Sequence, residues 1–369
     1  MLKKGSLTIV LALAASCQHV PAPGAQRCAA HLSGLDYPGA DWARADAASA
    51  GWSATAIEAA WTRARRSFSA GMLVHRGRVI GEFGDVAKPM ETRSIRKAFL
   101  NIIIGQLVEE GRLSLEATLA DLGVDDVAPL TDRELSATVR HLLSSRSGVY
   151  APAAYVVSGD EANTPARGSH RPGEAFFYWN WGFNALGGIV EQRTGQSVFE
   201  LFERRVAVPL GLQDFDRLRD TRYVREPVSR FPAYLFDLST RDRARIGLLF
   251  LNQGCWRGRQ IVSPDWVRAS VAPVTDQSDD FDFGYLWWST EPPPGLTQRI
   301  FMARGFANQY IIGIPELDAV FVLSVDMALG QRDQTLRPPR RSDFEAVFDL
   351  LLRARPGATS ASAANRGGR

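Results

Sequence analysis

The order of hydrophobic patterns along the 369-residue chain restricts its fold more than any other feature. Strand-like patterns occur near both ends, at 71–75, 78–83, 283–289, 300–304, 310–314 and 319–325. Helical patterns fill the interval from 94 to about 212, and others flank the strands at 55–67, 240–252, 264–271 and 343–354. We therefore predict an α+β chain in which strands from both ends surround an inserted helical block. Two lobes built this way have a cleft at their junction, where a site would form.

The composition excludes several classes of protein. Apolar residues make up 45% of the chain and charged residues 22%, which is too apolar for a disordered protein. No apolar run reaches the length of about 20 residues that a membrane-spanning helix needs. The formal net charge of +3 predicts no nucleic-acid partner. The five histidines and three cysteines show no HExxH or CxxC spacing, so we expect no metal and no cofactor.

The N-terminus predicts export. Two lysines precede an apolar run over 7–15, so residues 1–16 are predicted to be a signal peptide. Two alternatives remain open: lipidation of Cys17, which would tether the protein to a membrane, or ordinary cleavage near 22–25. The expected location is the bacterial periplasm or envelope. In that oxidising compartment Cys28 and Cys255 could pair, or both could stay free.

Composition also predicts where the linker, the domain and the tail begin and end. Residues 17–54 are predicted to be a linker leading into the domain, residues 55–354 to be the domain, and residues 355–369 to be a disordered tail. Within the domain, an α/β lobe comprises about 55–100 and 225–354. The helical lobe comprises about 101–224.

Lysine is rare in this chain, which draws attention to one motif. Only four of the 43 basic residues are lysines, and Lys97 follows Ser94 in an SxxK pattern. Residues three apart share a helical face, so the amine of Lys97 would stand beside the Ser94 hydroxyl. A lysine that burial has made neutral could take the serine proton and create a nucleophile, which an arginine could not do. The alternative is a serine that caps the helix, followed by an exposed lysine.

Two later segments carry further candidate groups. Tyr178 could act as an acid or base towards a leaving group, and the amide of Asn180 could bond a substrate carbonyl. The alternative for this segment is an aromatic cluster that only packs the helical lobe. Gly305 ends a predicted strand and would permit close approach of the backbone to a ligand, and the N–H of Phe306 could join that of Ser94 in an oxyanion hole. The alternative there is an ordinary strand end.

Together these motifs resemble the serine β-lactamase-related family, which includes class C β-lactamases, penicillin-binding DD-peptidases and related esterases or amidases. Further short motifs carry the resemblance in order: HLLSSRSG at 141–148, NALG at 184–187, TG at 194–195, PLGL at 209–212, GYLWW at 284–288, Gln309, and IPELD at 314–318. The resemblance covers roughly 55–350. It implies an antiparallel sheet flanked by helices, with an all-helical lobe.

The resemblance also implies roles for residues. Ser94 would be the acyl-enzyme nucleophile, Lys97 its base and Tyr178 a second acid or base. Asn180 would position the substrate, a small-molecule ester, amide or lactam. The strand at the edge of the site would contribute the substrate-binding residues Ala303, Gly305 and Phe306.

One position departs from the pattern. Penicillin-recognising members have lysine or histidine where this chain has Ala303. A neutral residue there argues against β-lactam or D-Ala-D-Ala recognition and favours an esterase or amidase. Arg304 is adjacent, but alternation along a strand would point its side chain to the opposite face. A β-lactamase or DD-peptidase, or a catalytically silent envelope-binding member of the family, remains an alternative.

Four tryptophans are also candidates for contact with the substrate. They could line an apolar pocket or pack the core: Trp179, Trp181, Trp287 and Trp288.

Overall fold

A computed structural model describes residues 27–156, 160–274, 281–328 and 338–358. The predicted signal peptide, Cys17 and most of the predicted tail lie outside the described residues. Within those ranges, no helix is both long enough and apolar enough to cross a bilayer.

The strands and helices are bounded as follows. The strands are β1 (Ala70–His75), β2 (Arg78–Gly84), β3 (Met90–Glu91), β4 (Thr221–Val224), β5 (Ala233–Leu238), β6 (Cys255–Trp256), β7 (Arg259–Gln260), β8 (Asp282–Phe283), β9 (Trp288–Thr290), β10 (Ile300–Gly305), β11 (Gln309–Ile314) and β12 (Ala319–Ser324). The helices are α1 (Ala54–Ala64), α2 (Arg96–Glu109), α3 (Asp132–Leu135), α4 (Val139–Leu143), α5 (Asn180–Thr194), α6 (Val198–Phe202), α7 (Val208–Leu210), α8 (Arg217–Asp220), α9 (Thr240–Leu251), α10 (Pro264–Val271) and α11 (Arg341–Arg353).

The main sheet has seven strands in the order β2-β1-β12-β11-β10-β9-β8, and every neighbouring pair is antiparallel. Strands from both ends of the chain therefore meet at the pairing of β1 with β12. The predicted α+β class, with an antiparallel sheet flanked by helices, is confirmed.

Alternation along β12 explains why both faces of this sheet are covered. Val320 and Val322 belong to the core on the side of α9 and the helical block, whereas Phe321 and Leu323 belong to the core beneath α1 and α11. Successive side chains of a strand point to opposite faces, so an unbroken apolar strand needs a helical layer on each side.

A small second sheet, in the order β3-β5-β4, joins the main sheet to the helical block. The sequence patterns did not predict β4 and β5, because they placed strands only towards the ends of the chain. This sheet matters for the site because β3 directly precedes the turn that carries Ser94.

The segment predicted as a linker packs against the domain from Arg27 onward. Trp42 and Trp52 are buried, and the side-chain oxygen of Asn252 accepts bonds from the backbone of His31 and Leu32. A disulfide joins Cys28 to Cys255, which decides between the two alternatives for these cysteines. Burial of the tryptophans gives this Ala- and Gly-rich segment the anchors that composition did not reveal.

Candidate active site

Ser94 lies in a short 3₁₀ turn, Arg93–Ile95, between β3 and α2. Two hydrogen bonds fix the start of this turn, because the backbone N–H and the hydroxyl of Thr92 both donate to the Phe236 carbonyl at 2.9 Å. Arg93 has φ of +51°, a left-handed conformation that is uncommon for arginine. Such backbone conformations persist where the surrounding structure enforces them, often at functional sites.

The structure brings Ser94 and Lys97 into direct contact. The Nζ of Lys97 donates to the Oγ of Ser94 at 2.9 Å, and Lys97 is only 2% exposed. The alternative of a capping serine followed by an exposed lysine is wrong. The N-cap of α2 is Ile95, without a side-chain cap, so the Ser94 hydroxyl is committed to the amine instead.

The surroundings of Lys97 disfavour its charged form. Burial, and secondly the positive charge of Arg96, hold the pKa of the Lys97 amine well below its ordinary value. The Nζ atom lies 4.7 Å from the ring centroids of both Tyr178 and Phe183. A neutral amine in this position has a lone pair with which to accept a proton.

Tyr178 stands in an aromatic cluster and also beside Lys97. Its ring centroid lies 4.8 Å from that of Phe183 and 5.5 Å from that of Trp288. Packing therefore fixes the tyrosine ring against the amine, and the role of its phenol as an acid or base stays a prediction.

Asn180 begins α5 and lines the same site. Its Nδ2 donates to the Tyr155 carbonyl at 2.7 Å. Its Oδ1 is buried and finds no hydrogen-bond partner within the described ranges. A buried acceptor without a partner is costly, so this oxygen is available to a donor on a bound molecule.

The end of β10 packs closely on the Ser94 turn. A Cβ placed on Gly305 would lie 2.8 Å from the Thr92 carbonyl oxygen, so only glycine permits this approach. Gln309 strengthens the junction, because its amide donates to the Glu91 carbonyl at 3.1 Å. The predicted close approach at Gly305 is thus made by the chain's own backbone.

Ala303 is buried, at 2% exposure, and supplies no cation. The guanidinium of Arg304 lies over the rings of Phe281 and Trp288, at 4.1 and 5.0 Å. Neither Ala303 nor Arg304 therefore places a positive charge beside Ser94.

A cavity of about 160 Å³ opens at Ser94. Its lining residues are Arg93, Ser94, Tyr155, Val156, Asn180 and Phe306. Phe306 is 41% exposed, and the Arg93 guanidinium lies 5.8 Å from its ring centroid. A larger cavity of about 420 Å³, lined by His31, Phe250 and Arg299 among others, includes none of the predicted site residues.

Arg93, Tyr155 and Glu91 form a part of the site that the sequence patterns missed. Arg93 pairs with Glu91 at 2.8 Å and donates to the Tyr155 hydroxyl, which itself donates to Glu91. Burial, followed by the bond to Glu91, raises the pKa of Tyr155 to about 12, so this phenol keeps its proton. In the sequence, only the position of Arg93 next to Ser94 could have indicated this part of the site. Nothing in the sequence links Tyr155 to them.

Three of the four tryptophans belong to the core, and Trp288 is partly buried against it. Trp179, Trp181 and Trp287 are buried, and the lining of the Ser94 cavity includes none of the four. Within the described residues, no group of three or more His, Cys, Asp or Glu side chains is placed to hold a metal ion.

Comparison with known proteins decides the family. The Beta-lactamase family model matches residues 56–343, which is most of the chain. The chain belongs to the Beta-lactamase family. The resemblance drawn from the motifs is therefore confirmed, and the family's solved structures share the architecture described above.

Three solved structures illustrate the shared Beta-lactamase fold. A Bacillus anthracis protein described as a 6-aminohexanoate-dimer hydrolase superposes with a TM-score of 0.59 at 20% identity, covering 78% of each chain. An octameric penicillin-binding protein homologue from Pyrococcus abyssi gives 0.58 at 22% identity, covering 81% of this chain and 77% of the other. EstCE1, a hydrolase with promiscuous acyltransferase activity, gives 0.56 at 15%, covering 81% and 98%.

A sequence relative is also known. An uncharacterized protein of Alkalihalophilus pseudofirmus is 23% identical over 254 residues, covering 62% of this chain and 71% of the relative. These three structural relatives are each below 25% identity, so they establish the fold and not the substrate.

Proposed function

We propose that this protein is a serine hydrolase that cleaves an ester or amide bond through an acyl-enzyme on Ser94. The observation that carries the proposal is the 2.9 Å contact between the Ser94 hydroxyl and the buried amine of Lys97. A hydroxyl beside a neutral amine can lose its proton as it attacks, and this is the activation that a serine nucleophile requires.

The reaction proceeds in two balanced stages. The Ser94 Oγ forms a bond to the substrate carbonyl carbon while its proton passes to Lys97. When the tetrahedral adduct collapses, the bond to the leaving group breaks, and a proton from Lys97 or Tyr178 passes to the leaving oxygen or nitrogen. A water oxygen then bonds to the acyl carbon while its proton passes to Lys97 or Tyr178. The bond between that carbon and the Ser94 Oγ breaks, the proton returns to the Oγ, and the acid is released.

We assign further groups to binding the substrate and to stabilising the negative charge that develops on its carbonyl oxygen. We assign the backbone N–H groups of Ser94 and Phe306 to the oxyanion hole, because the end of β10 is packed onto the Ser94 turn through Gly305. Asn180 positions the substrate through its unpartnered Oδ1, which suits an N–H donor of an amide. Ala303 and Gly305 form the strand edge beside the bound substrate.

The absence of a cation at Ala303 supports an esterase or amidase. The names of EstCE1 and of the Bacillus anthracis hydrolase agree with ester and amide chemistry in proteins of this fold. One observation favours a second candidate, a β-lactamase or DD-peptidase: Arg93 places a guanidinium in the Ser94 cavity, where it could meet a substrate carboxylate.

We also propose export to the periplasm or envelope, by a signal peptide over 1–16 and with Cys17 as the candidate lipid attachment site. The disulfide between Cys28 and Cys255 supports an oxidising location.

The proposal is tested by covalent labelling and turnover in parallel. A fluorophosphonate should label Ser94, and Ser94→Ala should reduce hydrolysis of a short-chain p-nitrophenyl ester by about 10³-fold or more. Ser49→Ala changes an exposed serine and should leave both results unchanged. Nitrocefin hydrolysis faster than ester hydrolysis would select the second candidate. Unchanged ester turnover in Ser94→Ala would refute the mechanism and favour a silent binding protein.

A further inference from the structure

Two consecutive basic residues begin helix α2, and both are buried. Arg96 is 1% exposed and Lys97 is 2% exposed. They contact successive residues of α5: the Arg96 Nη2 donates to the Asn184 Oδ1 at 3.1 Å, and the Lys97 Nζ lies 4.7 Å from the Phe183 ring centroid. Both side chains are thus held against one helix, away from water.

Arg96 has no acidic partner among the residues that the structure describes. Its guanidinium lies over the Tyr234 ring at 4.4 Å, and its Nε and Nη1 are buried without hydrogen-bond partners there. A buried charge left without a counter-ion is costly, and the bond to Asn184 and the Tyr234 ring, with no carboxylate among the described residues, offset this cost only in part. Such a cost is expected where a charge serves a purpose other than stability.

The groups that face Lys97 do not balance this charge. From α2 and the turn before it these are Arg96 and Ser94. From the segment before α5 comes the ring of Tyr178, and from β5, beneath Arg96, comes the phenol of Tyr234, whose pKa burial raises to about 12.

At the mouth of the cavity, Glu91 pairs with Arg93 at 2.8 Å and also with Arg222, which pairs in turn with Asp237 at 3.0 Å, so this cluster holds two carboxylates and two guanidiniums. Arg96 is therefore the unmatched positive charge next to the amine. Two like charges in a dry interior cannot both persist cheaply, and of the two residues only lysine can release its proton.

We propose that Arg96 is a positioning residue that keeps the Lys97 amine uncharged near neutral pH, so that this amine can accept the Ser94 proton. The inference rests on the proposed acyl-enzyme function. Arg96 itself touches Asn184 and Tyr234 and is not assigned any contact with substrate.

The test measures the rate of fluorophosphonate labelling of Ser94 against pH, in the wild type and in Arg96→Met. Methionine keeps the length and the apolar contact but removes the charge. The midpoint at which labelling appears should move upward by about one pH unit or more. Labelling near neutral pH should therefore fall about tenfold and recover in alkaline buffer.

Two further variants sharpen the result. Arg96→Gln retains an amide donor for Asn184 and should shift the midpoint in the same direction. Arg245→Met removes another buried arginine, whose guanidinium is bound by the carbonyls of Pro38 and Leu210, and should leave the midpoint in place.

The outcomes separate the two ideas. If the wild type is not labelled at Ser94, the proposed function fails. If the wild type is labelled and a folded Arg96 variant is slower at every pH with an unchanged midpoint, Arg96 is merely structural and the inference fails. Failure of both Arg96 variants to fold would assign the residue to folding and would equally overturn the inference.

Discussion

Lysine stands at only two positions in the described residues, Lys88 and Lys97, and the two regions differ in every respect that matters for chemistry. Lys88 lies between β2 and β3 with 47% of its side chain exposed, and its Nζ pairs with Asp326 at 2.5 Å. Lys97 is buried, touches a hydroxyl and two aromatic rings, and has Arg96 as its charged neighbour.

The comparison shows that the surroundings of a lysine decide whether its amine can act as a base. Water and a carboxylate stabilise the ammonium at Lys88, where its role is electrostatic. Burial beside a cation removes both kinds of stabilisation at Lys97. In a chain that otherwise uses arginine, Lys88 is replaceable in principle, whereas a residue that must lose a proton is not.

The largest expected effect contrasts the same substitution at both positions. Lys97→Arg should lower kcat/KM for a short-chain ester by about 10³-fold, because a guanidinium cannot accept the Ser94 proton. Lys88→Arg retains the ion pair with Asp326 and should change kcat/KM by less than about twofold. Steady-state kinetics on both variants provide the measurement, and an active Lys97→Arg enzyme would remove the distinction between the two regions.

A smaller effect is expected where β10 meets the Ser94 turn. Gly305→Ala would place a methyl group 2.8 Å from the Thr92 carbonyl and displace the strand end from the site. We expect a loss of about 10- to 100-fold in kcat/KM, since displacements of about 1 Å can cost this much. Gly39→Ala is the control, because its nearest atoms would lie 3.9 Å away. Equal activity of both variants would show that this junction does not position the reacting groups.

The smallest effect concerns stability and has opposite signs in the two regions. Lys97→Met should raise the free energy of unfolding at neutral pH by about 1 kcal/mol, because an apolar side chain replaces a polar amine whose burial is costly. The amine is kept for activity and not for stability. Lys88→Met breaks an ion pair between a half-exposed lysine and the buried carboxylate of Asp326, and should lower that free energy by about 1 kcal/mol. Chemical denaturation of both variants gives the comparison.

The gain in stability expected from Lys97→Met should depend on pH. The folded state lowers the pKa of Lys97, so between that value and the unfolded value of about 10.4 the unfolded chain binds the extra proton. Wild-type stability therefore falls as the pH drops through this window, and the gain from Lys97→Met should grow. A gain that does not vary with pH would mean that the amine stays charged in the folded protein.

Local spacing made part of this site predictable. The contact of Ser94 with Lys97 follows from residues three apart at the start of a helix, and the tightness at Gly305 follows from a glycine at a strand end. The strand patterns at both ends of the chain predicted the antiparallel sheet once the family resemblance was added.

Other features depend on tertiary packing and left no local pattern. Tyr155 meets Arg93 and Glu91 only because the helical block folds over β3, and no motif joins these positions. The burial of Trp42 and Trp52 likewise depends on surfaces formed by distant elements, so their Ala- and Gly-rich surroundings suggested a linker.

The proposed mechanism depends on the charge state of the Lys97 amine, which lysine-specific NMR measures. Protein grown with ¹³C,¹⁵N-lysine contains few labelled side chains, and Lys97→Met identifies the signal of interest by its loss. We predict that the Lys97 Cε and Nζ shifts are those of a neutral amine near neutral pH and become those of an ammonium only in more acidic buffer. A Lys97 transition near the ordinary lysine value of about 10.4 would contradict the account.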